Sequence, residues 1–330
     1  MGNDSVMGAD PFAGLSAEDR ALLRPAPLPE RVEPMLAVLT EERFSDPAWV
    51  YERKLDGIRC IAISSHRGVR LLSRNDLSLN PRFPEVAAAL ETEPATDRVL
   101  DGEIVAFAGG NTSFERLQQR GERHVSVYLY LFDLLHLAGN DTTALPLSAR
   151  RRLLRRAVGF RGPIRLVPSH KRDGERLYAD ACRKGWEGLV AKRADAPYAH
   201  GRSRDWLKFK CTAEQELVIG GYTAPQGSRS NLGALLLGHF DDRRLRYAGK
   251  VGTGFTAATL SDLAARLAPL RRETSPFADI VREPRVTWVE PRLVAQVGFT
   301  EWTRDGRLRH PRFLGLREDK AAEDVVRESG

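Results

Sequence analysis

The sequence predicts an α+β chain with antiparallel sheets, followed by a small C-terminal barrel of short strands. Three observations carry this reading. Before about residue 214, short alternating apolar runs lie close together and are broken by a few helical patterns. After it, five short strand patterns recur with one helix between the third and the fourth. Hydrophobic residues make up 42% and charged residues 29% of 330, which describes an ordinary folded chain long enough for one or two domains.

Taken in order, residues 1–32 are rich in Gly, Ala, Asp and Pro, with Pro25, Pro27 and Pro29 closely spaced. They read as a tail or linker with one short helix over 16–23. Residues 33–213 form the mixed part. Strands are expected at 50–54, 60–65, 69–73, 99–106, 125–131, 189–192 and 206–210. Helices are expected at 83–91, with Pro84 suited to a first turn, at 148–158, with Ser148 as N-cap, and at 174–184. Strands this close favour hairpins and antiparallel sheets over a doubly wound parallel sheet. In residues 214–330, strands are expected at 216–223, 234–240, 245–251, 286–289 and 294–300, with a helix at 256–267. That is the order of an OB-type barrel, and Gly220, Gly221, Gly238 and Gly249 suit its bends.

Lys and Arg outnumber Asp and Glu by 51 to 44, giving a net charge of +7 and a pI near 9.5. This favours a polyanionic partner such as nucleic acid, because neutralised phosphates release counterions. Cys60, Cys182 and Cys211 are odd in number and far apart, with no disulfide framework or CxxC metal pattern, which fits a reducing cytoplasm. No basic-then-apolar leader and no apolar run approaching 18 residues is present, so neither secretion nor membrane insertion is expected. Val6 stands where myristoylation after Met1-Gly2 needs Ser or Thr.

The chemistry centres on Glu52-Arg53-Lys54-Leu55-Asp56-Gly57-Ile58-Arg59. Read as a strand ending in a turn at Gly57, it puts Lys54, Asp56 and Ile58 on one face. An amine beside a carboxylate and a guanidinium suits attack on a phosphate, although a solvated surface strand explains the hexamer alone equally well. Arg74, in Ser73-Arg74-Asn75, holds a phosphate or is a surface arginine at a turn. Glu103 lies in the apolar run Leu100 to Val105, where a carboxylate needs hydrogen bonds or a metal. Phe132 stacks on a nucleobase or is simply core. Glu187 and Lys192 bracket an apolar strand and are hard to explain by packing. Lys208 and Lys210 share a strand face, where they need an anion or solvent between them.

In this order the clusters resemble the covalent nucleotidyltransferase superfamily of ATP-dependent DNA ligases, RNA ligases and mRNA capping enzymes. The KxDGxR motif is Lys54 to Arg59, followed by Ser73-Arg74-Asn75, Asp101-Gly102-Glu103, Phe132-Asp133, Glu187-Gly188 to Lys192, and Lys208-Phe209-Lys210. Phe313 to Lys320 resembles the ligase motif that engages the leaving pyrophosphate. Pro34-Met35-Leu36-Ala37, Ser203 to Lys208, Ile219-Gly220-Gly221-Tyr222, Gly249 to Gly254 and Arg309-His310-Pro311 are similar to the ligase module of bacterial ligase D, over roughly residues 33–327.

The resemblance implies an ATP-grasp-like nucleotidyltransferase domain over 33–213 and an OB-fold barrel over 214–330. It implies an ATP-dependent DNA ligase that seals nicks or broken ends through a lysyl-AMP on Lys54 and a DNA-adenylate. Arg317 and Lys320 act with Lys54 in catalysis. ATP is held by Glu52, Arg59, Arg74, Glu103, Phe132, Lys192, Lys208 and Lys210, and Arg74 also takes the 5′-phosphate. Mg²⁺ or Mn²⁺ sits on Glu187, Asp56 and Glu103, and this metal with Lys208 and Lys210 lowers the pKa of Lys54. The implied partners are nicked or broken duplex DNA, Ku, and separate end-processing polymerase and nuclease proteins, with the enzyme a cytoplasmic monomer. The alternatives are an RNA ligase, a GTP-dependent capping-type enzyme, or a non-catalytic DNA-binding relative.

Overall fold

In the computed structural model, which describes residues 10–93, 96–118, 120, 125–211, 213–225 and 231–328, the chain forms two units, Met1–Phe209 and Lys210–Gly330. The first is built on two sheets. One runs in the order Arg24–Pro25, Asn140–Asp141, Val127–Leu137, Arg98–Ala108, Ile58–Ser65, Gly68–Leu72. The other runs Ser169–Lys171, Trp49–Arg53, Gly188–Arg193, Gly201–Lys210, Met35–Leu39. Most neighbours are antiparallel, as expected. The parallel exceptions include Gly201–Lys210 beside Met35–Leu39, and Ile164–Leu166 beside Val127–Leu137.

Burial explains the long apolar runs. On the Ile58–Ser65 strand, Ile58, Cys60 and Ala62 join one core cluster, while Ile61 and Ile63 join a second that also contains Met35, Phe132 and Trp206. A strand covered on both faces cannot alternate apolar with polar. The outer cluster is closed by Pro84–Glu91, through Val86, Ala87 and Leu90, and by Leu147–Ala157, through Ala149, Leu153 and Leu154.

Several expectations change. Ser148 is not the N-cap of the Leu147–Ala157 helix; Pro146 is, without a side-chain cap. The first amides are satisfied instead by backbone, Leu147 N–H to the Ala196 carbonyl at 2.9 Å and Ser148 N–H to the Ala194 carbonyl at 3.0 Å. A helix at Phe114–Gln118 was not foreseen. Residues 10–32 are not a loose tail, because Phe12 is buried in the core, Leu15 and Leu23 pack against it, and Arg24–Pro25 pairs with Asn140–Asp141. Residues 1–9 lie outside the described residues. Cys60 is a buried free thiol.

In the second unit the strand Ala213–Thr223 organises everything. It pairs with Leu235–Asp241 on one side, and with Val294–Phe299 and then Val286–Val289 on the other. Arg244–Val251, Arg271–Arg272 and Arg312–Leu316 complete a seven-stranded sheet, two strands more than expected, with the helix Ala257–Leu267 after Arg244–Val251. The sheet is OB-like, but among the described residues no pairing closes it into a barrel. Gly220 and Gly238 serve less as bends than as room for the Phe277 ring. A Cβ on them would lie 2.4 Å and 2.8 Å from its edge.

Candidate active site

Lys54 stands one residue past the Trp49–Arg53 strand, not on it as the alternation suggested. Its amide still donates to the Gly188 carbonyl at 2.9 Å, after which the chain leaves one sheet and enters the other at Ile58. Residues 54–57 are therefore the link between the sheets. Asp56 fixes the link from the far side. Its N–H donates to Thr112 Oγ1 at 3.1 Å, and its Oδ2 accepts from Phe114 N–H at 2.8 Å. Gly57 is required by space, since a Cβ there would lie 2.3 Å from the Ile104 carbonyl oxygen and 2.8 Å from Val105 Cγ1.

The Lys54 ammonium meets Glu187 Oε1 at 2.5 Å, with Glu187 delivered from the residue before the Gly188–Arg193 strand. Burial pushes the lysine's pKa down. The Glu187 carboxylate, helped by Glu103 and Asp56, outweighs this, and the net shift is upward. The expected lowering by neighbouring cations is thus reversed: in this state Lys54 is held protonated. Glu187 Oε2 is buried and has no hydrogen-bond partner.

Glu52, on the strand just before, is 2% exposed. Arg151 donates to its Oε1, and Lys192 Nζ lies 2.7 Å from its Oε2. Lys192 in turn sits 4.0 Å from the centroids of both the Phe132 and Trp206 rings. Burial is the main cause that drives its pKa down, against Glu52. Phe132 is buried, edge-on to Trp206 with centroids 5.9 Å apart, and Arg59 lies over it at 4.8 Å. Two cations, Lys192 and Arg59, thus lie against this ring.

Arg59 is locked to Asp101 by two bonds, Nε to Oδ1 at 2.5 Å and Nη2 to Oδ2 at 2.6 Å. Tyr198 Oη also donates to Oδ2 at 2.7 Å. Across the strands Arg59 pairs in register with Glu103. Arg74 sits in the turn after Gly68–Leu72, a turn held by the Ser73 hydroxyl accepting from the amides of Asn75 and Leu77. Lys208 lies on the Gly201–Lys210 strand, opposite Leu39.

The remaining candidates belong to the second unit, and there each cation meets an anion. Lys210 Nζ donates to Glu328 Oε2 at 2.7 Å and to the Glu214 carbonyl at 2.5 Å. Arg317 makes two bonds to Asp319, at 2.9 and 2.8 Å. Lys320 lies 3.2 Å from Glu216.

A divalent cation fits part of the expected set. The orphaned Glu187 Oε2 is a hard oxygen donor beside Lys54, whereas Asp56 Oδ2 is committed to Phe114. Among the described residues no group of three or more His, Cys, Asp or Glu could hold a metal ion by itself. Such a site suits a magnesium-like ion that takes one carboxylate and completes its shell with phosphates and water.

Sequence reasoning missed Arg151, Asp101, Tyr198 and Trp206. Asp101 and Trp206 sat inside quoted motifs but were given no role. Nothing in the run Arg150-Arg151-Arg152 signals that its first two members are buried, at 0% and 3% exposure, while the third is a surface residue.

Fold and site together define a ligase-type nucleotidyltransferase unit joined to an OB-like unit. Residues 34–210 match the model of the ATP dependent DNA ligase domain, and residues 228–320 match that of the ATP dependent DNA ligase C terminal region. The chain belongs to the ATP-dependent DNA ligase family. It is 41% identical over 313 residues to the multifunctional non-homologous end joining protein LigD of Pseudomonas aeruginosa, covering 92% of this chain and 37% of that protein. A solved structure described as mycobacterial DNA ligase D complexed with ATP and MES shares 36% identity with a TM-score of 0.66, over 90% of this chain and 98% of that one. The ligase domain from M. tuberculosis LigD shares 36% identity with a TM-score of 0.50 over the same proportions. The chain spans 37–40% of the length of the LigD relatives it matches.

Among the described residues no helix is long and apolar enough to cross a membrane.

Proposed function

We propose that this chain is an ATP-dependent DNA ligase that seals nicks or broken ends, acting in the cytoplasm in double-strand break repair with Ku and end-processing proteins. The observation that carries the reading is Lys54. It is a lysine on a link clamped between two sheets, ion-paired to a carboxylate whose second oxygen is buried and unpartnered. The end-joining role is supported by the names of the LigD relatives.

The chemistry follows from this chain's residues. Lys54 gives up its pairing with Glu187 and releases its proton to water, then its Nζ attacks the α-phosphorus of ATP. The N–P bond forms as the bond to pyrophosphate breaks. The AMP passes from Lys54 to a DNA 5′-phosphate held by Arg74, and a 3′-hydroxyl then displaces it. Arg59, fixed by Asp101, and Lys192, fixed by Glu52, present positive charge beside Phe132 to the nucleotide, with Lys208 and Lys210 on its phosphates. Glu103 takes the ribose. Arg317 and Lys320 act on the leaving pyrophosphate. A divalent cation held by Glu187 would neutralise charge on the triphosphate.

The test is incubation with α-labelled ATP and Mg²⁺ or Mn²⁺, followed by denaturing electrophoresis of wild type and Lys54→Ala. Label retained by wild type alone supports the lysyl-AMP chemistry. Equal labelling of both proteins, or label from GTP and not ATP, overturns it.

A further inference from the structure

We propose that Arg151 is a positioning residue of the nucleotide site, acting through Glu52 and Lys192. The inference rests on the adenylylation reading above and adds a residue that no motif contains. Arg151 comes from the Leu147–Ala157 helix and is only 3% exposed. Its guanidinium binds both sheets. On one side Nη1 donates to Glu52 Oε1, on the Trp49–Arg53 strand. On the other, Nη1 donates to the Phe132 carbonyl at 3.2 Å and Nη2 to the Val167 carbonyl at 2.7 Å.

The two carbonyls belong to the same layer, since Phe132 lies on the Val127–Leu137 strand and Val167 donates its N–H to the Leu131 carbonyl at 2.9 Å. The sheets are bridged where the Lys54 link also crosses between them. Planar, five-donor arginine can make these contacts together in a fixed geometry, and lysine cannot.

The consequence falls on Glu52. With Oε1 taken by Arg151, its Oε2 is left for Lys192, and this sets the ammonium 4.0 Å from both Phe132 and Trp206. Without Arg151, Glu52 is free to rotate and Lys192 loses the anchor that places it. Arg151 keeps one buried nitrogen, Nε, without a partner. Its neighbour Arg150 is the contrast: fully buried, it makes two bonds to Asp133, at 2.7 and 2.9 Å, and further bonds to the carbonyls of Leu145 and Ala196. Arg150 is a structural arginine.

The test measures single-turnover labelling of Lys54 against ATP concentration in wild type, Arg151→Gln, Arg151→Lys, Arg150→Gln and Glu52→Gln. Arg151→Gln is expected to raise the half-saturating ATP concentration about tenfold, the loss of one charged hydrogen bond. The rate at saturating ATP should change less, and Arg151→Lys should recover part of the loss. Arg151→Gln in a Glu52→Gln background should add little, because the two residues act through one contact. Arg150→Gln should lower the unfolding temperature without this ATP-dependent split. An unchanged half-saturating concentration in Arg151→Gln, full additivity with Glu52→Gln, or a profile like that of Arg150→Gln overturns the proposal. No labelling in wild type defeats the adenylylation reading instead, so the two failures are distinct.

Discussion

Replacing Asp101 by Asn tests the buried frame that fixes Arg59. Asp101 is 0% exposed and accepts three hydrogen bonds, two from Arg59 and one from Tyr198. The amide keeps the volume but removes the charge. It also turns one acceptor into a donor that must face either Arg59 or Tyr198, both already donors. Breaking a buried pair by removing one partner costs roughly 3–5 kcal/mol, because the other charge stays buried without compensation. The Arg59 side chain is 17% exposed, so the lower end applies, about 3 kcal/mol. For a unit of this size that is roughly 6–12 °C in unfolding temperature.

The assay is thermal unfolding of wild type, Asp101→Asn, and Asp101→Asn combined with Arg59→Met. The double variant should recover part of the loss, since it removes the stranded charge. A change below about 0.5 kcal/mol in the single variant, typical of an uninvolved surface site, would refute the reasoning. So would a double variant less stable than the single.

Glu187→Gln should move the pKa of Lys54 downward. The carboxylate is what overcomes burial and favours the ammonium, so its loss leaves burial to favour the neutral amine. The pH of half-modification of Lys54 by an amine-reactive reagent, followed by peptide mass spectrometry, should fall; an equal or higher value contradicts the assignment. Arg317→Ala should impair self-adenylylation and spare the sealing of pre-adenylylated nicks. It should also destabilise the second unit by about 3 kcal/mol, by stranding the buried Asp319. Asp319→Asn controls for that loss, and equal impairment of both steps by Arg317→Ala would rule out a leaving-group role.

Much of the architecture was legible because the strands carry it in their composition. The runs around Ile58 and Val99 are apolar and rich in β-branched residues, the run from Leu235 is apolar, and the helix after Arg244–Val251 announces itself by spacing and by Thr256, whose side chain does accept from Thr259 N–H. What escaped depends on tertiary contact. Lys54 was read onto a strand because alternation continues past Arg53; the exit from the sheet is imposed by Asp56 gripping Phe114 N–H and Thr112, more than fifty residues away in sequence. The N-terminal segment was read as a linker from its prolines, but Pro25 lies in a sheet-edge strand, where a missing N–H costs nothing. The burial of Arg150 and Arg151 is not legible locally, because it depends on partners at Asp133 and Glu52 that no local pattern reveals.

The link between the two sheets has a mechanical corollary. It is pinned at Lys54 N–H, at both ends of Asp56, and at Gly57 by lack of space against Ile104. A segment held this way cannot swing, and only the flexible stem of the lysine has play. On the proposed reading Lys54 is a stationary nucleophile, and everything that must travel in a catalytic cycle travels towards it. Changes of timing or substrate preference in this chain are therefore to be sought in what moves, while inserting or deleting a single residue between Lys54 and Gly57 would misalign the lysine itself.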